Sequence, residues 1–196
     1  MIKLKDILLE NEATHPFIPH KIEGRLDKLI QAYRNNGSKG DLNLNGMNLT
    51  KFPDVLKYVD VGGGFSCANN QLTSLEGTPT SVRGSFYCGN NQLRSLKGAP
   101  KIVSGIFSCN DNQLRSLVGA PTSVGGSFDC RKNKLTSLKG APISVGQDFR
   151  CERNHLTSLE GAPISVDRDF YCANNAVQFT EEQIRSVCDI KGRIFV

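Results

Sequence analysis

The sequence predicts a repeat solenoid: an α+β, right-handed, curved stack of short coils with a parallel sheet on its concave side, a helical cap before the stack and a helix-and-strand cap after it. Three observations predict it. Phe stands at 65, 86, 107, 128, 149 and 170, a spacing of 21 residues without drift. Cys at 67, 88, 109, 130, 151 and 172 and Asn at 70, 91, 112, 133, 154 and 175 keep the same spacing. Between them recur paired leucines (72 and 75 in the first unit), a Gly-x-Pro at 77–79 and a Val at 82. Self-similarity at one fixed period of this length means stacked supersecondary units, each too small to bury its own apolar face.

Residues 1–19 read as a tail and linker, with Pro16 and Pro19 near its end. Residues 20–40 read as a helical cap: Ile22, Leu26, Leu29, Ile30 and Tyr33 follow helical spacing, and Asn35-Asn36-Gly37 ends the pattern. Residues 41–177 form the stack. Its first unit is degenerate, opening at Leu42-Asn43-Leu44 with Met47 at the Asn position and a connection two residues longer. Within each full unit, Phe-x-Cys alternates as a strand with one buried face does. The Asn marks the turn that leaves the sheet, where its amide can satisfy backbone groups of its own turn and of the next rung. The leucines turn back into the core. Gly-x-Pro rules out a full helix and sets an extended return on the convex side. Residues 178–196 form the second cap: Thr180 to Gln183 is a capping box, followed by Ile184, Val187 and Cys188, and Arg193 to Val196 can add a strand.

The unit is similar to the leucine-rich repeat, L-x-x-L-x-L-x-x-N-x-L, with Phe and Cys at the second and third leucine positions. Asn70-Gln71-Leu72-Thr73-Ser74-Leu75 and Asn133-Lys134-Leu135-Thr136-Ser137-Leu138 resemble the short bacterial class of these repeats. The resemblance covers residues 61 to about 177. It implies a protein-binding scaffold. Bacterial effectors with such repeats carry a catalytic domain after them; only residues 178–196 follow here, so that activity is not carried over.

Composition and chemistry narrow the function further. The chain has 196 residues, 38% hydrophobic and 22% charged, with a net charge of +5. No apolar run is long enough to span a bilayer, and Met1 to Glu10 is not a secretion signal, because Asp6 and Glu10 bracket Ile7-Leu8-Leu9. No membrane association is expected, and a reducing cytoplasm is. The seven cysteines are then expected to be reduced, buried and hydrophobic in role. No two cysteines stand at metal-ligand or redox spacing, and the three histidines, His15, His20 and His155, are scattered. Neither metal nor cofactor is expected. Gly62, Gly63 and Gly64 resemble a phosphate loop but belong to the repeat junction. No Ser-His-Asp set or carboxylate pair emerges, so neither an enzyme nor a small-molecule substrate is expected.

Function is therefore expected where the units differ. The residue between Phe and Cys runs Ser66, Tyr87, Ser108, Asp129, Arg150, Tyr171, and the residue after Cys runs Ala68, Gly89, Asn110, Arg131, Glu152, Ala173. These rows should line the concave face. The candidate partner-binding residues are Tyr87 and Tyr171 as aromatic anchors and Asp129, Arg131, Arg150 and Glu152 as charge-complementary groups. The competing reading is a solvated face in which Asp129 pairs with Arg150 and Glu152 with Arg131. Nucleic acid is disfavoured: Arg131, Lys132, Arg150, Arg153 and Arg168 are interrupted by Asp129, Asp148, Glu152, Asp167 and Asp169.

The opening Met1 to Glu10 together with this repeat resembles proteins of large tailed phages of the T-even type. That resemblance implies a host or phage protein as partner, in the cytoplasm of the infected cell. It also implies an alternative: a minor virion or internal head protein, directed into the prohead by the segment ending Leu8-Leu9-Glu10 and cut after Glu10.

Overall fold

The computed structural model describes residues 20–79 and 81–196. The tail and the candidate processing site Glu10 lie outside them. The 21-residue unit forms a parallel β-solenoid of about seven coils. Each Phe-x dipeptide is a two-residue strand, and these strands pair in register: Phe65 with Phe86, Phe86 with Phe107, and so on to Phe149 with Phe170. Leu42–Asn43 precedes them and Ile194–Phe195 follows, giving one eight-stranded parallel sheet.

The return segment is extended, as expected, and it also pairs from coil to coil. Ile102–Val103, Ser123–Val124, Ser144–Val145, Ser165–Val166 and Asp189–Ile190 form a second, five-stranded parallel sheet, and Asp60–Val61 pairs with Ser81–Val82 in a third. The reason is hydrogen-bond accounting. Once the Phe strands are stacked in register, the return segments are stacked too, and their backbone groups must pair with the neighbouring coil. Two paired residues per coil suffice for one rung.

Between the sheets lies one continuous core. The six repeat Phe are fully buried, and their ring centroids are 5.0–5.6 Å apart. Burying each such ring contributes about 2–3 kcal/mol. The six Cys of the column and Cys188 are free and buried. Cys88, Cys130 and Cys151 donate from Sγ to the carbonyls of Ser108, Arg150 and Tyr171 in the following coil, at 3.2–3.3 Å. Burial pushes the Cys67, Cys88, Cys109, Cys130 and Cys151 thiols well above the ordinary thiol range. Such groups are poor nucleophiles.

The Asn column ties coils together. In Asn112, Nδ2 donates to Cys109 O in its own turn (3.1 Å) and to Cys88 O (3.0 Å), while Oδ1 accepts from Leu93 N (2.9 Å). The inter-coil reach is thus to the preceding rung, not the next. The residue before each Asn is left-handed: Asn69, Asn90, Asp111, Lys132, Arg153 and Asn174 have φ of 52–60°. Glycine is obligatory at the opposite corner. Gly119 has φ of 97°, and a Cβ there would lie 2.7 Å from the Leu96 carbonyl carbon.

At one end, helix His20–Asn35 places Leu26, Ile30 and Tyr33 in the same core. At the other, Thr180 and Gln183 make a reciprocal capping box on helix Glu181–Arg185, which buries Ile184. The residues after that helix add one further rung to both sheets. Ile194–Phe195, within the segment expected to add a strand, is the outer strand of the long sheet.

Candidate functional site

Alternation along each strand turns Phe and Cys inward and the residues before, between and after them outward. Counting coils from the one that opens at Phe65, coils four to six, those of Phe128, Phe149 and Phe170, carry Asp129, Arg131, Asp148, Arg150, Glu152 and Tyr171 on this outward side. Register places Asp129 beside Arg150 and Arg150 beside Tyr171. Five of the six residues singled out from sequence are thus brought together. Tyr87 is not among them; it stands between Ser66 and Ser108 in the row.

The pairing differs from the cross-rung scheme expected. Asp129 Oδ2 lies 3.2 Å from Nε of Arg131 in its own coil, and Arg131 N–H donates to Asp129 Oδ1. Arg150 Nη2 lies 3.0 Å from Oδ2 of Asp148, again in its own coil. Residues two apart on a strand share a face, and that geometry wins here because the Arg150 guanidinium is engaged elsewhere: it lies over the Tyr171 ring, 4.6 Å from its centroid. The Arg131–Glu152 contact does cross rungs, at 4.0 Å.

Asp129 is only 8% exposed. Burial raises its carboxyl from 3.8 to about 6, against the opposing charge and backbone N–H of Arg131; Glu152 adds to the rise, and Arg150 opposes it. Arg131 Nε and Glu152 Oε2 are shielded from solvent without a hydrogen-bond partner among the described residues. The 3.2 Å Asp129–Arg131 contact is therefore an ion pair by distance whose N–H is not aimed at the carboxylate. This is a part-satisfied polar cluster, the costly kind in a low-dielectric setting.

The aromatic part of the row extends beyond the sequence expectation. Phe195 stacks on Tyr171 with ring centroids 4.5 Å apart and planes within 5°. The Arg193 guanidinium lies 5.3 Å from the Phe195 centroid. The Tyr171 hydroxyl donates to Asp169 Oδ2 at 3.4 Å. Phe195 was concealed because its register partner, Tyr171, lies 24 residues before it rather than 21. Also unexpected are Ile143 and Ile164, 59% and 68% exposed on neighbouring coils of the return side. An apolar side chain at the position after Pro, held by Lys101 and Thr122 in earlier units, was the available signal.

Among the described residues no group of three His, Cys, Asp or Glu is arranged to hold a metal ion, and no helix is long and apolar enough to cross a membrane. No known family model and no curated protein matches the sequence. The leucine-rich-repeat resemblance accordingly rests on the residue pattern, and the fold on the stacked parallel coils.

Proposed function

We propose that the chain is a non-catalytic protein-binding module, and that its partner docks on the outward side of the long sheet over coils four to six. The observation that carries this reading is the Arg150–Tyr171–Phe195 stack. Aromatic and arginine side chains dominate binding energy at interfaces. Here they are already held, with Asp148 orienting the guanidinium and Phe195 backing the tyrosine, so little side-chain entropy is lost on docking. The half-satisfied Asp129, Arg131 and Glu152 cluster beside it supplies polar groups that set orientation. In the leucine-rich-repeat reading this face is the concave side of a right-handed, curved stack. The resemblance of Met1 to Glu10 to T-even-type phage proteins makes a host or phage protein the partner class.

Affinity capture from infected cells tests this. The intact chain should retain a specific protein that Arg150→Ala and Tyr171→Ala each release, with affinity lowered by about 2 kcal/mol, roughly thirtyfold in Kd. A partner retained unchanged by both variants would place the binding face elsewhere.

A further inference from the structure

A cleft of about 600 Å³ opens where the N-terminal helix meets the first coils. Its walls come from three segments: the end of helix His20–Asn35 with the turn after it, the stretch Tyr58 to Gly62, and Arg83 of the next coil. The turn is held firmly. The Tyr33 hydroxyl lies 2.8 Å from Ser38 O and 3.1 Å from Gly40 O, and it accepts from Gly62 N–H at 3.0 Å. Ser38 O also accepts from Gly62 N–H. The cleft is therefore built on backbone that the fold fixes.

Its charge is unbalanced. Arg34, Lys39 and Arg83 line it, and none of their side chains makes an ion pair among the described residues. Among the described residues Asp60 is the single carboxylate in the lining. The contrast with the long sheet is sharp: there Arg131, Arg150 and Arg193 each have a carboxylate within 4.0 Å. Tyr58, at the same cleft, is 61% exposed; Lys57 Nζ lies 4.9 Å from its ring centroid, which leaves the opposite face for a ligand.

We propose that this cleft binds a phosphorylated small molecule of mononucleotide size. The phosphomonoester is met by Arg34, Lys39 and Arg83, a planar ring lies against Tyr58, and Asp60 accepts hydrogen bonds from hydroxyl or amino groups between them. Three cations lining one cleft match a dianionic phosphate, which arginine in particular holds through paired N–H donors. The volume lies within the range of small-ligand sites, about 300–1,000 Å³. Gly62 N–H is already engaged by the turn, so recognition falls to side chains rather than to a glycine loop. This site is separate from the protein-binding face, and either can fail without the other.

Titration calorimetry on the full chain with adenosine 5′-monophosphate, inorganic phosphate and adenosine as separate probes decides the matter. The nucleotide should bind, phosphate should bind more weakly and compete with it, and adenosine should be weakest. Arg83→Ala and Lys39→Ala should each weaken nucleotide binding about tenfold or more. Tyr58→Ala should weaken the nucleotide but not phosphate. Lys134→Ala and Arg153→Ala, which remove the same charge from a distant corner, should leave affinity unchanged. Circular dichroism melting of each variant establishes that it is folded. The proposal is overturned by no binding at millimolar nucleotide, by equal losses in the distant-corner variants, or by adenosine binding as well as the nucleotide.

Discussion

The first three Phe coils and the fourth to sixth share one interior and differ outside. Beneath both, Phe, Cys, Asn and the paired leucines repeat at the same spacing, and the rings stack at nearly the same distance. On the outward row the earlier coils carry Ser66, Tyr87 and Ser108, and the later ones Asp129, Arg150 and Tyr171. The left-handed corner changes with them, from Asn69 and Asn90 to Lys132 and Arg153. A solenoid permits this separation because each coil touches only its neighbours. Stability is set by the buried columns, and the exposed rows are free to diverge. In the later coils they have done so at some energetic cost, with a buried carboxyl and two strained basic residues.

The largest test of that separation lies in the core. Phe86→Ala and Phe149→Ala should each lower unfolding free energy by about 3–5 kcal/mol in urea titration. Because the surroundings match, the two losses should agree within about 1 kcal/mol. A much smaller loss in the later coil would show that the outward charges loosen the core beneath them.

A smaller effect concerns Asp129. Its folded-state pKa of about 6 lies above its ordinary 3.8, so the folded chain holds the proton more tightly than the unfolded chain. The neutral carboxyl carries no such cost below about pH 4; the cost grows as pH rises from about 4 to 6 and is complete above that, at on the order of 3 kcal/mol. Asp129→Asn should therefore gain stability relative to the parent chain between pH 4 and pH 8. Ser108→Asn, one coil earlier, should show no such pH dependence. A flat difference for Asp129→Asn would mean that Arg131 fully offsets burial.

The smallest effect is at the corner. Lys132→Asn and Arg153→Asn place a residue more tolerant of positive φ there and should each stabilise by about 0.5–1 kcal/mol. Asn69→Lys should destabilise by a similar amount. Thermal melts of the three variants check the sign.

Much of this molecule was legible as sequence. The buried columns were, because a core residue repeated every 21 positions has no freedom to drift. So was the in-out alternation that put Asp129, Arg131, Arg150, Glu152 and Tyr171 on one face. The second sheet was not: its Val recurs every 21 residues, but a two-residue strand is too short to show the in-out alternation that marks a sheet. Side-chain pairing was misjudged for Asp129 and Arg150 because register gives neighbours, while the stack on Tyr171 decides where the Arg150 guanidinium turns. Phe195 escaped because the last coil breaks the spacing. The N-terminal cleft escaped because Arg34, Tyr58 and Arg83 come from three segments that only folding assembles.

The comparison of early and late coils is tested most directly by measuring the affinity of the captured protein partner for the chain carrying Tyr87→Ser and for the chain carrying Tyr171→Ser. These are one chemical change on one row of one sheet, in an early coil and in a late one. The account predicts that Tyr171→Ser weakens binding roughly thirtyfold while Tyr87→Ser leaves it within about twofold. Equal losses, or a larger loss at Tyr87, would contradict it.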